Sequence, residues 1–392
     1  MRLRKRAAGL LLGAGVLFLI GTNVQAGWLF VLAALLLGVF VAGIVLPTRA
    51  LAGLEVQVRA PVEARQGRET AVDLVVHNRG RISRWGVVAS DEHLGGATVW
   101  IGAVRPGERV TVTTMRGAPR RGEAHTAGAQ LRSAAPFGGA ERRRRRSVDA
   151  TTLVLPHAVP LGPLPFVETA ISRETATRTE PRRGLGHESL AVREYRAGDP
   201  MRHVHWGLTA RHGQLMVREF EQERTPRLAI WVDTERADVE VLDRCCTVAA
   251  SIVDAATATG AGVRLAAATS DGAETVTRSH RLEYHRWLAR LTPTGVSAAT
   301  SLGRLLDGPL QGVGTLIATF PIWDGRPMEP IRAMVEELAA VVPRVVLVPV
   351  TVAEDATVWT PLHNACADVA PWVDGTDLET ALRALAVSVG VA

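Results

Sequence analysis

The stretch GWLFVLAALLLGVFVAGIVL, residues Gly27 to Leu46, decides the architecture of this chain. It carries no charged residue, and a helix of its length, at a rise of 1.5 Å per residue, spans roughly 30 Å, the thickness of a bilayer's hydrocarbon core. A second uncharged apolar run extends from Ala7 to about Val24, and Gly21-Thr22-Asn23 has the composition of a tight turn at its end. The two runs predict an N-terminal two-helix membrane hairpin over residues 1–50.

Positive charge on both outer flanks of the hairpin predicts its orientation. Basic residues in loops next to membrane helices favour the cytoplasmic side. They are Arg2, Arg4, Lys5 and Arg6 before the first helix, and Arg49, Arg59, Arg65 and Arg68 after the second. We therefore expect a multi-pass protein of the plasma membrane with both termini in the cytoplasm and a short external loop at Thr22 to Gly27.

A cleaved signal peptide is the alternative, because Val24-Gln25-Ala26 is a small-x-small site after a basic and then an apolar stretch. Even then, the helix at Gly27 to Leu46 would keep the bulk of the chain in the cytoplasm.

Composition sets limits on the soluble part. A chain of 392 residues with 47% apolar residues has room for two soluble domains beside the membrane segment. Lys5 is the only lysine among 45 basic residues, so the pI of 10.1 reflects a general use of arginine and is weak support for nucleic-acid binding. Of three cysteines, Cys245 and Cys246 are adjacent, which suits neither a disulfide framework nor a thiolate metal site and favours a reducing compartment.

Residues 51–150 show short alternating runs such as LEVQV at Leu54 to Val58 and AVDLVV at Ala71 to Val76. Turn sequences follow at Asn78-Arg79-Gly80 and Arg105-Pro106-Gly107. This pattern predicts a small antiparallel β-sandwich, bounded by the run of five arginines at Arg142 to Arg146. Those arginines could contact phosphate or lipid headgroups, but no aromatic residues are interleaved with them, so a solvated face is the simpler interpretation.

Residues 224–392 alternate apolar runs with amphipathic helices. The predicted strands are 227–232, 263–269, 314–320 and 344–350, and the predicted helices are 239–258, 281–291, 330–341 and 378–387. Such alternation predicts an α/β doubly wound domain with a mostly parallel sheet. Ligands of such sheets bind beyond the carboxyl ends of the strands, where Asp233 and the loop 321–325 lie.

Residues 151–223 join these domains and contain the most informative motif, REYRAGDPMRHVHWGLTARHGQLMVREFE, from Arg193 to Glu221. It resembles the signature of the domain of unknown function 58 family, R-x-Y-x-x-G-D-x-x-R-x-I-x-W-x-x-x-A-R-x-G. The matching residues are Arg193, Tyr195, Gly198, Asp199, Arg202, Trp206, Ala210, Arg211 and Gly213. Upstream, Arg121-Gly122 and Ala135-Pro136-Phe137-Gly138 are similar to two further family elements, with Ala135 in place of the usual Asp.

Local chemistry predicts a helix in this segment that begins at Asp199-Pro200, where the carboxylate caps free amides, and runs through Leu208. Gly213 supplies a left-handed turn into a strand at residues 214–220. The arginines and the acidic residues would then form an ion-pair clasp around Trp206, the members being Arg193, Arg202, Arg211, Glu194, Asp199 and Glu219. The exposed edge of this clasp is the expected docking site for a partner.

The resemblance implies that a von Willebrand factor A-like domain follows the signature. Such domains hold Mg²⁺ through D-x-S-x-S, a separate Thr and a further Asp, all hard oxygen ligands. Asp233 is present here, but Glu235 and Ala237 stand in place of the two serines. Thr300 and Asp324 are the expected counterparts of the other ligands, which together give a possible degenerate Mg²⁺ site and no other cofactor.

The resemblance further implies a membrane-tethered interaction scaffold without catalytic activity, acting in complex assembly or at the cell envelope. The implied protein partners are a MoxR-type AAA+ ATPase and a transglutaminase-like membrane protein. Two alternatives remain open at this point. One is a metal-dependent hydrolase that uses His203, His205 and Asp233, and the other is nucleic-acid binding through the arginine run.

Overall fold

The computed structural model defines helices and strands over most of the chain, in two compact units. One unit comprises residues 1–157 with 288–290, and the other comprises residues 158–287 and 291–392. The residues described are 2–3, 5–135, 140–164, 166–168, 189–195, 201, 204–220, 228–235, 239–269, 272–278, 280–297, 300, 303, 313–322, 326–351, 368–373 and 376–387.

Two apolar helices begin the first unit, α1 (Lys5–Val24) and α2 (Gly27–Ala50). Gln25, with a φ of 52°, lies in the turn between them, and the rings of Phe18 and Phe30 meet edge to face with centroids 5.6 Å apart. The predicted end of the first helix at Gly21-Thr22-Asn23 is wrong. The Thr22 hydroxyl donates to the carbonyl of Leu19 at 2.7 Å, so it is satisfied inside the helix, which continues through Val24.

Among the described helices, α2 is long and apolar enough to cross a membrane, over Gly27–Pro47. The apolar part of α1, Ala8–Val24, is shorter. Large apolar side chains on both helices are exposed, among them Leu12, Leu19, Trp28 and Val31. Length and composition thus support one membrane helix, and the second span of the predicted hairpin stays a prediction.

The remainder of the first unit contains eleven strands among the described residues. They are β1 (Arg2–Leu3), β2 (Leu54–Arg59), β3 (Glu63–Arg65), β4 (Glu69–Asn78), β5 (Arg84–Trp85), β6 (Val87–Asp91), β7 (Ala97–Trp100), β8 (Ala103–Val104), β9 (Arg109–Gly117), β10 (Gly122–Ser133) and β11 (Ala140–Leu155). One sheet has the order β1-β11-β10-β6-β7, with β3 parallel to β11, and the other has the antiparallel order β2-β4-β9. β5 and β8 form a short separate pair, and a 3-10 turn lies at His93–Gly95.

The two sheets share one apolar core. Every second residue of a strand points to the same face, so β2 contributes Val56 and Val58 while β10 on the opposite sheet contributes Ala129 and Leu131. The predicted antiparallel sheets are therefore present. The run Arg142 to Arg146 lies inside β11, which continues to Leu155, so it does not end the sheet as the sequence suggested.

The second unit contains nine strands and five helices among the described residues. The strands are β12 (Ser189–Glu194), β13 (Met216–Phe220), β14 (Leu228–Val232), β15 (Val263–Thr269), β16 (Gly272–Thr277), β17 (Thr315–Pro321), β18 (Arg344–Thr351), β19 (Asp368–Val369) and β20 (Trp372–Val373). The helices are α3 (Trp206–His212), α4 (Val239–Ala258), α5 (Arg281–Arg290), α6 (Glu329–Val341) and α7 (Leu378–Val387).

The main sheet of this unit has the order β16-β15-β14-β17-β18-β19, with β20 also on β18. Its pairs are parallel except for β15 with β16. All five residues of β14 are buried, so both faces of the sheet are covered, with α6 on the face that contains Trp231. The predicted strands and helices agree with the observed ones to within two residues.

The parallel arrangement determines where the strand ends meet. Val232, the last residue of β14, lies opposite Thr319 of the neighbouring β17. The residues that follow each strand therefore lie at the same edge of the sheet, beginning with Asp233, whose amide donates to the carbonyl of Thr319 at 2.9 Å.

Candidate functional site

The carboxyl end of β14 carries two acidic side chains that converge on one arginine. The guanidinium of Arg326 donates to Asp233 Oδ2 at 2.6 Å and to Glu235 Oε2 at 3.2 Å. The side chains of Arg326 and Asp233 are 3% and 1% exposed, and that of Glu235 is 27% exposed. The Arg326–Asp233 pair is therefore buried, and each of these two charges depends on the other because water does not reach them, while Glu235 lies at the partly exposed margin of the cluster.

Local structure fixes the geometry of this cluster. The amide of Glu235 donates to Asp233 Oδ1 at 2.8 Å, a turn that leaves Oδ2 for the arginine. Arg326 also donates to the carbonyl of Pro321, and its guanidinium lies 5.6 Å from the centre of the Phe320 ring. One arginine thus ties the end of β17 to the end of β14.

Opposing effects act on the acidity of Asp233. Burial raises the pKa of Asp233 to about 6, because an ionised carboxylate is costly away from water, while Arg326 acts to lower it. Desolvation is the larger effect here. Asp233 is therefore a carboxylate that depends on its arginine for compensation of its charge.

The described residues at this position are arranged around an arginine and do not fit a divalent cation. The two carboxylates that would be ligands already accept from Arg326, a cation of the chain itself. Thr300 is exposed and its hydroxyl lies 3.1 Å from that of Ser297, while Asp324 lies outside the described residues. Over the described part of the chain, no group of three or more His, Cys, Asp or Glu side chains is arranged to hold a metal ion.

A different threonine lies at the strand end. The Thr294 amide donates to the carbonyl of Thr234, and the two hydroxyls are 3.0 Å apart. Thr294 is therefore a threonine at the end of β14 that the sequence analysis did not single out. No local pattern marks Arg326 or Thr294, because each reaches the strand end from a distant loop.

The signature segment forms a small hairpin with a helix beside it. β12 pairs with β13, so that Arg193 lies opposite Val217, and Glu219 lies opposite Ala191. The amide of Tyr195 donates to the carbonyl of Leu215 at 2.7 Å. Gly198, Asp199 and Arg202 lie outside the described residues.

Helix α3 begins later than the predicted start at Asp199-Pro200. His205 is its N-cap, because His205 Nδ1 accepts from the amide of Leu208 at 3.3 Å. Gly213 ends the helix with a φ of 70°, the left-handed conformation that the sequence predicted. His205 thus has a structural partner in the backbone, and its predicted metal partner His203 lies outside the described residues.

Among the described residues, the contacts that hold the helix are with the hairpin. Val204 bridges to Val217, both buried, and the amide of Met216 donates to the Thr209 hydroxyl at 3.0 Å. By contrast, Trp206 is 63% exposed and Arg211 is exposed. The expected clasp packed around Trp206 is therefore wrong, since the indole faces solvent where a clasp would bury it.

Comparison with protein families supports the resemblance over part of the chain. Residues 191–356 match the family described as "Protein of unknown function DUF58". The "Uncharacterized protein YeaD" of Bacillus subtilis (strain 168) is 37% identical over 82 residues. This match covers 20% of the present chain, and the chain spans 20% of the length of that curated relative.

Comparison with solved structures gives only low similarity. The CARDB domain of the PF1109 protein from Pyrococcus furiosus, in complex with di-metal ions, is 16% identical, covers 26% of this chain and 91% of its own, and has a TM-score of 0.20. The GH20 exo beta-N-acetylglucosaminidase from Vibrio harveyi is 8% identical, covers 83% of this chain and 82% of its own, and has a TM-score of 0.21. Similarity at this level identifies neither fold nor function.

Proposed function

We propose that this chain is a membrane-tethered cytoplasmic interaction scaffold and not an enzyme. The observation that carries the proposal is the exposure of Trp206 in the segment that resembles the family signature. Two further large apolar side chains of the same segment, Met201 and Leu215, are exposed as well. Aromatic, Met and Arg side chains are enriched in protein interfaces, and Trp, Tyr and Arg are enriched among the residues that contribute most to binding.

The cluster at the end of β14 supports a scaffold in preference to the metal-dependent hydrolase. Asp233 and Glu235 both accept from Arg326, so neither is free to act as a general base or to hold a catalytic ion. The surrounding domain is proposed to be the von Willebrand factor A-like domain implied by the resemblance, with an internal arginine at the position of the ion.

The proposed location is the plasma membrane, with both termini in the cytoplasm and both α1 and α2 in the bilayer. Support comes from the length and composition of α2 at Gly27–Pro47 and from the basic residues on the outer flanks of the helices. The proposed partners, a MoxR-type AAA+ ATPase and a transglutaminase-like membrane protein, follow from the family resemblance, as does a role in complex assembly or at the cell envelope.

The test is capture of partners by the full-length protein from native membranes in mild detergent. We expect an AAA+ ATPase to be retained by the wild type and to be reduced at least tenfold by Trp206→Ala. Met115→Ala is the matched control, because Met115 is similarly exposed, at 59%, on β9 outside the segment. Equal retention by all three proteins would refute the docking role of Trp206, and retention of no AAA+ ATPase by the wild type would refute the proposed partner.

A further inference from the structure

The run of five arginines lies beside the start of the first apolar helix. β1 pairs with the beginning of β11, with Arg2 opposite Glu141 and Leu3 opposite Ala140. α1 begins at Lys5, two residues after β1 ends, and α2 also contacts β11. The arginine run therefore lies at the level where the two helices meet the β-sheets.

Three of the five arginines continue the core-facing row of β11. Along a strand, alternate residues share a face, and further along β11 Val148 and Ala150 of this face are part of the core. Leu131 and Ala129 of β10, which lie directly opposite Arg144 and Arg146, are also core residues. We call the residues that extend this face beyond the core, Arg142, Arg144 and Arg146, the arginine row.

The charges of the arginine row are largely uncompensated. Arg142 and Arg144 are exposed and form no ion pair with any described carboxylate, whereas Arg143 on the opposite face pairs with Glu141 at 2.6 Å. Arg146 lines a groove against β2, and its Nε is buried without a hydrogen-bond partner among the described residues. Burial and the neighbouring Arg144 lower the pKa of Arg146, while Glu55, which lines the same groove, acts to raise it.

Two exposed apolar side chains lie close to the C-terminal end of α2. Arg84 donates to the carbonyl of Arg49, in the last turn of α2, at 2.7 Å. Ile82 and Trp85, on either side of Arg84 in sequence, are 66% and 64% exposed. Exposed tryptophan together with arginine at the end of an apolar helix is the composition of a membrane interface.

We propose that the arginine row binds the phosphate headgroups of anionic phospholipids in the bilayer that α2 enters, so that this edge of the β-sheets rests on the membrane surface. The inference rests on the membrane attachment in the proposed function. Three cations within a Debye length of an anionic leaflet are attracted by its negative surface potential. The guanidinium fork also suits phosphate oxygens geometrically.

Phospholipid fits this surface better than nucleic acid. The exposed apolar residues nearby, Ile82 and Trp85, match the boundary between headgroups and acyl chains. Bases would need aromatic rings interleaved with the arginines, and residues 142–146 contain none.

The test uses the full-length protein in vesicles that contain equal amounts of phosphatidylglycerol and phosphatidylcholine. After solubilisation in mild detergent and purification, the two retained lipids are quantified. We expect a several-fold enrichment of phosphatidylglycerol with the wild type and close to none with the double variant Arg142→Gln, Arg144→Gln. The matched control, Arg143→Gln with Arg145→Gln, removes the same charge from the opposite face of the same strand and should keep the enrichment.

Each outcome decides between the hypotheses. Equal loss in both double variants would show a general charge effect and overturn the proposal, as would absence of enrichment in the wild type. Retention on immobilised duplex DNA that only the first double variant loses, without lipid enrichment, would assign the row to nucleic acid instead. Thermal melts of the variants are compared with that of the wild type to exclude misfolding.

Failure of the wild type to enter vesicles at all would refute the membrane tether itself. That result differs from a wild type that enters vesicles but shows no lipid selectivity.

Discussion

At the scale of single residues, Arg326 is expected to have a large effect on stability. Arg326→Ala leaves Asp233 as a buried, uncompensated carboxylate, and we expect a loss of about 3–5 kcal/mol in the free energy of unfolding. The matched control is Arg332→Ala, which removes surface ion pairs with Glu329 and Glu336 and should lower the free energy of unfolding far less than Arg326→Ala does. Urea titration of the full-length protein in mild detergent measures both. Similar losses in the two variants would contradict the structural role of Arg326.

The substitution Arg326→Ala should also change how the melting temperature responds to Mg²⁺. In the wild type, melts with Mg²⁺ and with chelator should coincide, because Arg326 occupies the carboxylate oxygens of Asp233 and Glu235. In Arg326→Ala those oxygens become available, so Mg²⁺ should raise the melting temperature by a few degrees. A rise in the wild type that Asp233→Ala abolishes would show instead that Glu235 has replaced the missing serines as a ligand.

The acidity of Asp233 predicts how stability depends on pH. Its folded pKa of about 6 is above the ordinary value of 3.8, so between these values the folded state binds more protons than the unfolded state. The contribution of Asp233 to stability is therefore greatest below about pH 4 and falls by about 3 kcal/mol as the pH rises to about 6. Asp233→Asn should remove this decline, which urea titrations at a series of pH values would detect. Parallel pH profiles for the two proteins would contradict the raised pKa.

The sequence predicted part of this cluster. Asp233 follows a buried strand, so its position at the sheet edge follows from the parallel pattern alone. The pairing of Arg326 with Asp233 could not be predicted, because the two residues lie 93 positions apart in sequence and no local spacing indicates such a pair. Thr294 was not predicted at this edge for the same reason, since hydrophobic periodicity does not determine the path of a loop.

At the scale of secondary-structure elements, α3 is held by the hairpin and carries an exposed tryptophan. Trp206→Ala should change the free energy of unfolding by no more than about 0.5 kcal/mol, because the indole is exposed. Trp231→Ala is the contrasting variant, as Trp231 is fully buried in β14, and should cost about 3–5 kcal/mol. Denaturant titration compares the two. A loss of several kcal/mol for Trp206→Ala would restore the packed clasp that the structure argues against.

Strands and helices with a simple hydrophobic pattern could be predicted from the sequence, whereas the solvent exposure of a single side chain such as Trp206 could not. The run RLAIWV gave β14 because a continuous apolar run in an α/β pattern is a buried strand. β16 was missed, although Asp271-Gly272 before it is a hairpin-turn sequence that pairs a strand with its predecessor. For Trp206, composition suggested packing because tryptophan is usually buried, and composition does not distinguish a core indole from a docking one.

At the scale of the whole molecule, the membrane topology is the prediction that matters most. If both helices span, a cysteine placed at Asn23 should react with a membrane-impermeant reagent from outside the cell, since Asn23 lies near the turn that joins α1 and α2. A cysteine at Arg68, which follows α2, should react only after the membrane is permeabilised. Labelling of intact cells measures both. Labelling of position 68 but not of position 23 in intact cells would show the opposite orientation and refute the cytoplasmic scaffold.

The pairing of β1 with β11 has a consequence for biosynthesis. Arg2 and Leu3 leave the ribosome long before their partners Ala140 and Glu141, by on the order of ten seconds at roughly 5–20 residues per second. In the proposed topology, β1 stays unpaired in the cytoplasm until β11 has been made, while α1 and α2, which lie between the two strands in sequence, enter the bilayer. Pairing of β1 with β11 would then hold the start of α1 beside the β-sheets only after the membrane helices have been inserted. Removal of residues 1–26 by a signal peptidase would delete β1 and leave the start of β11 without that partner.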